Sequence, residues 1–327
     1  MDKKLTVSCS PHLRSAASTP RIMADVLIAL APTSIAGVIL YGWRALLVIA
    51  VCVLASVAAE GVFNLITKKQ QTIGDLSAVV TGLLLALNLH AEVPIWQCVL
   101  GSVFAIVVVK CLFGGLGCNF ANPAITGRIF LLLCFADSTG GGVHSRFTSP
   151  DLVSSATPLE ILNGEGSGSL PSLTDMFLGN RAGAIGEACI LALILGFIYL
   201  VIRRVIHWET PLCLIGTVFV LSLIIKAAGG DETPLRTSLY EILSGGLFLG
   251  AIFMATDYVT TPITRTGKMI FAVGAGVITV LIRFFGSYPE GVSFSILLMN
   301  ILAPYIERWT VRRPLGSQKP KKGGKAA

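Results

Sequence analysis

Charged side chains are scarce in this chain. Asp, Glu, Lys and Arg make up 13% of its 327 residues, where a soluble domain carries roughly 25%. Histidine is scarcer still. His12, His90, His144 and His207 are the whole set, and none pairs at haem or metal spacing within an apolar run, which disfavours a haem cytochrome. Cysteine occurs eight times but never as CxxC. Most of these residues lie inside apolar runs, where a thiol behaves as a small apolar side chain. A disulfide framework or zinc site is therefore not expected. Cys111 and Cys118 flank a glycine-rich loop and are only a weak pointer to a cluster ligand. A Walker loop, GxSxG and a dinucleotide fingerprint after a strand are all missing, so the chemistries that need them lack their motifs. No catalytic residue and no metal ligand is assigned.

What is present is apolar surface. The chain is 54% hydrophobic with mean hydropathy +0.78, which makes the bilayer its main solvent. A helix needs roughly 20 apolar residues to cross the hydrocarbon core. Ten candidate runs occupy residues 22–40, 45–66, 74–91, 95–113, 123–136, 184–203, 211–228, 239–255, 268–285 and 291–307. The fifth is short and carries Arg128. The expected fold class is an all-α polytopic membrane protein of about ten transmembrane helices. Residues 1–21 form an N-terminal segment, 22–307 the membrane domain and 308–327 a basic tail that is expected to be disordered. The first twenty residues are polar and no small-residue cleavage pattern follows the run from Ile22, so no cleavable signal peptide is expected.

The net charge of +7 is unevenly spread. Seven of the 25 Lys and Arg lie beyond residue 307, a distribution that argues against nucleic acid as a partner. With both termini in the cytoplasm, 18 of the basic residues fall on the inner side and six on the outer, and an excess of Lys and Arg marks the cytoplasmic face. In that orientation the long Gly-, Ser-, Thr- and Pro-rich loop 137–183 faces outside. A loop of that length in a compact domain is usually functional or disordered. Two short stretches match: Asp75–Gly82 opens the third run and Glu241–Gly246 the eighth. Five runs apart, they fit two inverted five-helix repeats with a site at their interface.

Four groups of residues could carry chemistry. In Gly114–Ala124 the glycines permit close backbone approach, Asn119 and Asn122 can satisfy backbone groups, and Asn122-Pro123 suits a helix N-terminus. In Phe253–Thr264, Thr256 and Asp257 make a polar end to an apolar helix. This segment reads either as ordinary capping, with Thr261 before Pro262, or as a cation or cofactor site. Ser154-Ser155-Ala156-Thr157-Pro158-Leu159-Glu160 reads as a capping box, with Thr157 as N-cap and Glu160 at the third position. The same free N–H groups also suit a phosphate. The last group is the ionisable residues in or near apolar runs: Asp25, Glu60, Asp75, Arg128, Glu187, Glu241 and Asp257. Such residues cost about 2.5–3.5 kcal/mol at a bilayer centre and by default face a bundle interior. Interfacial snorkelling is the competing reading.

Taken in order, Gly114–Ala124, Ser154–Leu159, Gly183–Glu187, Phe253–Asp257 and Tyr288–Gly291 resemble the RnfD component of the Rnf complex. That family is related to NqrB, a membrane component of the sodium-pumping NADH:quinone oxidoreductase. The resemblance covers about residues 20–308. It implies a flavin-carrying membrane subunit of an ion-translocating ferredoxin:NAD oxidoreductase, active only within its complex in a bacterial or archaeal cytoplasmic membrane. It implies FMN bound through its phosphate to the Thr of an S-G-A-T type motif, here Thr157, next to Ser154 and Ser155; Ser155 departs from the commoner Gly. It also implies a non-covalent riboflavin among the helices, for which Asn119, Asn122, Thr256 and Asp257 are candidate linings, with Arg128 a further cofactor-binding candidate. Glu60, Asp75, Glu187 and Asp257 match acidic positions of the family and are ion-path candidates. The implied partners are the Rnf components RnfA, RnfB, RnfC, RnfE and RnfG, a flavin transferase for maturation, and membrane lipid. The composition alone also permits a secondary transporter without redox chemistry, or a structural anchor.

Overall fold

The computed structural model describes residues 18–140, 142–143, 154–155, 157–164, 170–187, 189–230, 232–286 and 290–311, with the backbone alone for Asp137, Ser154 and Ser155. The segment up to residue 17, the tail from residue 312, and Tyr288-Pro289 of the sequence motif lie outside the described residues, as do the side chains of Ser154 and Ser155. Helices dominate. They are α1 (Thr19–Tyr41), α2 (Trp43–Ile66), α3 (Ser77–Leu87), α4 (Ile95–Val103), α5 (Pro123–Cys134), α6 (Ala136–Thr139), α7 (Pro158–Leu162), α8 (Leu173–Leu178), α9 (Ile190–Ile202), α10 (Glu209–Ala228), α11 (Pro234–Leu243), α12 (Leu247–Leu249), α13 (Arg265–Phe285) and α14 (Val292–Thr310). α4 continues as a π-helix over Phe104–Cys111, and α12 as a π-helix over Gly250–Met254. Each of the ten apolar runs is thus occupied by a helical stretch.

By length and composition, α1, α2, α10 and α13 can each cross a membrane, and the bent pair Pro234–Leu243 and Leu247–Met254, turned through 61°, makes a fifth among the described residues. Several expected boundaries contract. The run 74–91 yields only Ser77–Leu87, because Leu76 takes a left-handed conformation (φ 62°) and Asn88 caps the other end. The run 239–255 is broken at Ser244–Gly246, where Gly245 has φ +65°. Loop 137–183 is not featureless. β1 (Gly142–Val143) pairs antiparallel with β2 (Ser154–Ser155), and Val143 bridges Gly183.

Helix contacts follow small residues. On α3, a Cβ at Gly82 would lie 2.7 Å from the Cys52 carbonyl of α2, so glycine there lets two backbones touch. Gly276 of α13 sits equally close on Thr217 of α10. α1 and α9 are clasped by Asp25, which accepts from Arg203 at 3.1 Å and from the Tyr199 hydroxyl at 3.0 Å. Packing repeats along the chain. α2 packs on α3 and α4, and α4 on α5; α10 packs on α11 and α13, and α13 on α14.

Candidate functional site

Two cavities lie along the same pair of helices. The first is bounded by Leu84 of α3, Lys110 of the first π-helix, Asn119 and Asn122 of the glycine-rich loop, Ala124 of α5, and Thr256-Asp257 beyond the second π-helix, with about 800 Å³ of free space that includes open solvent. The second, of about 700 Å³, is bounded by Asn88, His90, Arg128, Thr157, Glu160 and Glu290. Leu84 and Asn88 are four residues apart on one chain, as are Ala124 and Arg128. Four residues of helix rise only about 6 Å, so one helical turn separates the cavity walls.

Asn122 anchors the first cavity. Its Oδ1 accepts from the Ala124 and Ile125 amides at 3.0 and 3.4 Å, and Pro123 opens α5, as the sequence predicts. Its Nδ2 donates to the Met254 carbonyl at 3.5 Å. Asn119 is buried and donates to the Ala121 carbonyl at 3.0 Å, which holds the loop folded beneath the cavity. Asp257 accepts from the Thr260 hydroxyl at 3.0 Å. It is half-buried by surface because it faces the cavity, yet protein encloses its carboxyl, and that burial holds its pKa above the usual carboxylate range against hydrogen bonds from Thr260, Val259 and Tyr258. The cap of α13 is Thr264, whose hydroxyl accepts from the Gly267 amide at 3.1 Å. Thr261 does not cap it, because Pro262 is followed by two more residues before the helix begins.

Thr157 is where the capping-box reading places it. Its Oγ1 accepts from the Glu160 amide at 3.3 Å, and Glu160 Oε2 accepts from the Thr157 amide at 2.6 Å. Within the same cavity, Arg128 donates to Asn88 Oδ1 at 2.9 Å and to the Ser293 hydroxyl at 3.2 Å, and pairs with Glu290 and with Glu187 at 3.7 Å. Sequence reasoning misses His90, which lacks a pairing partner in its own run. Among the described residues its buried Nδ1 has no hydrogen-bond partner, and the residue lines the cavity wall. Glu290 stands out in the sequence only as part of a motif. Its position beside Arg128 depends on the return of α14 and has no local signal.

The ion-path candidates separate. Glu60 and Asp75 meet at Lys110, which donates to Glu60 Oε1 at 2.9 Å and to the Ser77 hydroxyl at 2.6 Å, while Ser77 donates to Asp75 at 2.5 Å. Glu187 lies with Arg128 beside the Thr157 cavity, and Asp257 lines the other. In the second half of the chain, Arg283 pairs with Glu241 at 3.5 Å and donates to the Ser244 carbonyl at 3.2 Å. A basic residue near the end of α13 thus pins the break before α12. Lys110, at the end of the α4 extension, pins the turn before α3 in the same way. Among the described residues no group of three or more His, Cys, Asp or Glu converges on a metal position, and the described cysteines are free thiols.

Residues 6–316 match the family described as NQR2, RnfD, RnfE. The chain is 46% identical over 324 residues, covering 98% of both chains, to the D-subunit of the Na(+)-translocating ferredoxin:NAD(+) oxidoreductase complex of Acetobacterium woodii. It is 40% identical to the D-subunit of the proton-translocating ferredoxin:NAD(+) oxidoreductase complex of Clostridium ljungdahlii, covering 96% of this chain and 97% of that one. It is 35% identical to the D-subunit of the ion-translocating oxidoreductase complex of Stutzerimonas stutzeri, covering 89% and 90%.

Proposed function

Because this chain belongs to the NQR2, RnfD, RnfE family, we propose that it is the flavin-carrying membrane subunit of an ion-translocating ferredoxin:NAD+ oxidoreductase complex, relaying electrons across a bundle of ten spans. The observation that carries this reading is the pair of cavities one helical turn apart, one of them walled by Thr157. A hydrocarbon core of about 30 Å is a long gap for an electron, and two carriers stacked along α3 and α5 shorten it.

The Thr157 cavity fits FMN. The Thr157 oxygen accepts a hydrogen bond and donates none among the described residues, so a phosphoester in place of its proton leaves the capping bond intact. Arg128 is the cation on its wall, shared with Glu187 and Glu290, and His90 adds a polar ring to the lining. The Asn122 cavity fits a flavin without phosphate. Its wall cation, Lys110, is paired with Glu60, Asp257 faces it, and it lacks the capping-box hydroxyl that would carry an ester in the other cavity. When bound, such flavins supply one- and two-electron transfer. The protein contributes enclosure, orientation and a fixed spacing. The repeated packing of α2 and α10, and the matching roles of Lys110 and Arg283, support two five-helix halves of inverted topology. The relatives named for Na+ and for protons are both at least 40% identical to this chain, so overall identity does not select the ion.

The test is in-gel flavin fluorescence of the denatured protein, made with its flavin transferase, together with its intact mass. A fluorescent band with the mass increment of one FMN is expected in wild type and not in Thr157→Ala. A bare wild-type chain in active complex would end the covalent reading, and a band surviving in Thr157→Ala would move the attachment elsewhere.

A further inference from the structure

A further cleft opens where α10 and α13 begin. The two helices pack together, and each is long and apolar enough to cross a membrane. The cleft has about 240 Å³ of free space that includes open solvent, and it is bounded by His207 of the α9–α10 turn, Thr210, Tyr258, Thr261 and Lys268. No carboxylate is among its described lining residues. Three of its donors are unused: among the described residues the Lys268 ammonium, the His207 ring and the Thr210 hydroxyl make no hydrogen bond. The charged neighbours of Lys268 are Glu209 and Arg265, and these pair with one another at 3.7 Å. One positive charge is therefore left over, beside a hydroxyl and an imidazole.

The surroundings are those of a membrane edge. Trp208, next to His207, is 55% exposed, and Ile263, between Pro262 and Thr264, is 78% exposed. Apolar surface thus flanks the cleft on both of its loops, and tryptophan is enriched at membrane–water interfaces. Arg203, Arg204 and Arg265 are exposed in the same segments, and basic residues at such an edge attract anionic lipid.

We propose that this cleft binds the phosphate of an anionic phospholipid, held by Lys268 and His207, and that the lipid clamps the α9–α10 turn to α13. A phosphodiester brings one negative charge and several acceptor oxygens, which match one ammonium, one imidazole and one hydroxyl. Lysine binds phosphate as a point charge on a flexible stem. A free phosphate would meet the same donors, but only a lipid also covers the apolar flanks with its chains, and burying that surface is favourable.

The clamp acts on a shared wall. Val205, Ile206, Thr256 and Tyr258 line both this cleft and the Asn122 cavity. Across that wall the Tyr258 hydroxyl donates to the Val205 carbonyl. A headgroup bridging His207 and Lys268 holds the same turn from outside. The lipid site does not depend on what the Asn122 cavity holds.

The test uses the intact purified complex in nanodiscs of phosphatidylcholine, alone or with phosphatidylglycerol. Phosphatidylglycerol kept after exchange into phosphatidylcholine is counted by native mass spectrometry, and thermal unfolding is followed in both compositions. Wild type is expected to keep one phosphatidylglycerol more than the double variant Lys268→Gln with His207→Gln, and to gain more in melting temperature from that lipid. In titrations the double variant is expected to need at least about tenfold more of it. Lys268→Arg preserves the charge and is expected to keep the lipid. In phosphatidylcholine alone the variants are expected to melt with wild type; should the double variant not fold, Lys268→Gln alone carries the comparison. Arg308→Gln is the control for diffuse attraction. It removes a charge outside the cleft at the same end of the bundle, where Thr264 donates to Thr310 of α14 at 2.7 Å, and it is expected to keep the lipid. Equal losses in Arg308→Gln and in the cleft variants overturn the site, as does a wild type that keeps no more phosphatidylglycerol than they do. Inorganic phosphate that raises the melting temperature of wild type as far as phosphatidylglycerol does overturns the lipid assignment.

Discussion

The side-chain amide of Asn88 donates to the sulfur of Met254 at 3.7 Å, and this contact forms part of the wall between the two cavities. Arg128 holds Asn88 from the Thr157 side, while Asn122 donates to the Met254 carbonyl from the other. Met254 is thus held by its sulfur from one cavity wall and by its carbonyl from the other.

The Met254 side chain is buried, and its removal should open that wall. Met254→Ala is expected to cost about 2–5 kcal/mol, and the volume-conserving Met254→Leu less than about 1.5 kcal/mol. Thermal melts of the purified protein in one detergent would rank the two, and equal losses would show that the wall closes by relaxation.

Capping and the proposed flavin attachment can be separated at Glu160. Glu160→Ala removes the acceptor of the Thr157 amide and leaves the hydroxyl untouched. A lost cap costs roughly 0.5–2 kcal/mol. We expect reduced stability with the fluorescent band retained, the reverse pattern to a mere loss of attachment.

The Arg283–Glu241 pair is almost wholly inaccessible, at 1% and 0% side-chain exposure. Arg283→Met strands a buried carboxylate and is expected to destabilise by about 3–5 kcal/mol. Combining it with Glu241→Gln removes the stranded charge and should recover much of the loss. A double-mutant cycle on unfolding in denaturing detergent reads the coupling, and strict additivity would place the two residues outside one network.

Asp257 gives a pH signature. Its pKa is raised in the folded state by burial, so the folded protein holds its proton more tightly than the unfolded chain. That favours folding while the group is protonated, and the advantage is lost as pH rises through the folded pKa. Asp257→Asn, which cannot ionise, should therefore melt higher than wild type at neutral pH. The difference should shrink as pH falls toward the ordinary carboxylate range. A gap that widens in acid would mean the carboxylate is stabilised where it sits.

Much of this was legible locally. The Thr157-Pro158-Leu159-Glu160 box and the Asn122-Pro123 cap depend on hydrogen bonds within three residues, and both occur as written. The break in the run 239–255 was less visible. Ser244-Gly245-Gly246 permits a turn, but the pressure to make one comes from distant side chains. A Cβ at Gly246 would lie 2.8 Å from Glu187 Oε1, and one at Gly245 would lie 3.1 Å from Arg283.

By itself the sequence determined the apolar character of the chain, the places of ten helical stretches and the capping residues Thr157, Glu160 and Asn122. Scarcity of charge, length of apolar run and capping chemistry are short-range properties, written residue by residue. Only the tertiary structure decided that Arg128 serves the Thr157 cavity while Asn122 serves its neighbour, and that Lys110 answers to both Glu60 and a cavity wall. Those relations join residues tens of positions apart. In a bundle where nearly every helix is apolar all round, the pattern of apolar residues does not say which face meets which. Close glycine contacts and buried charge pairs select the partners, and they act only once the helices are together.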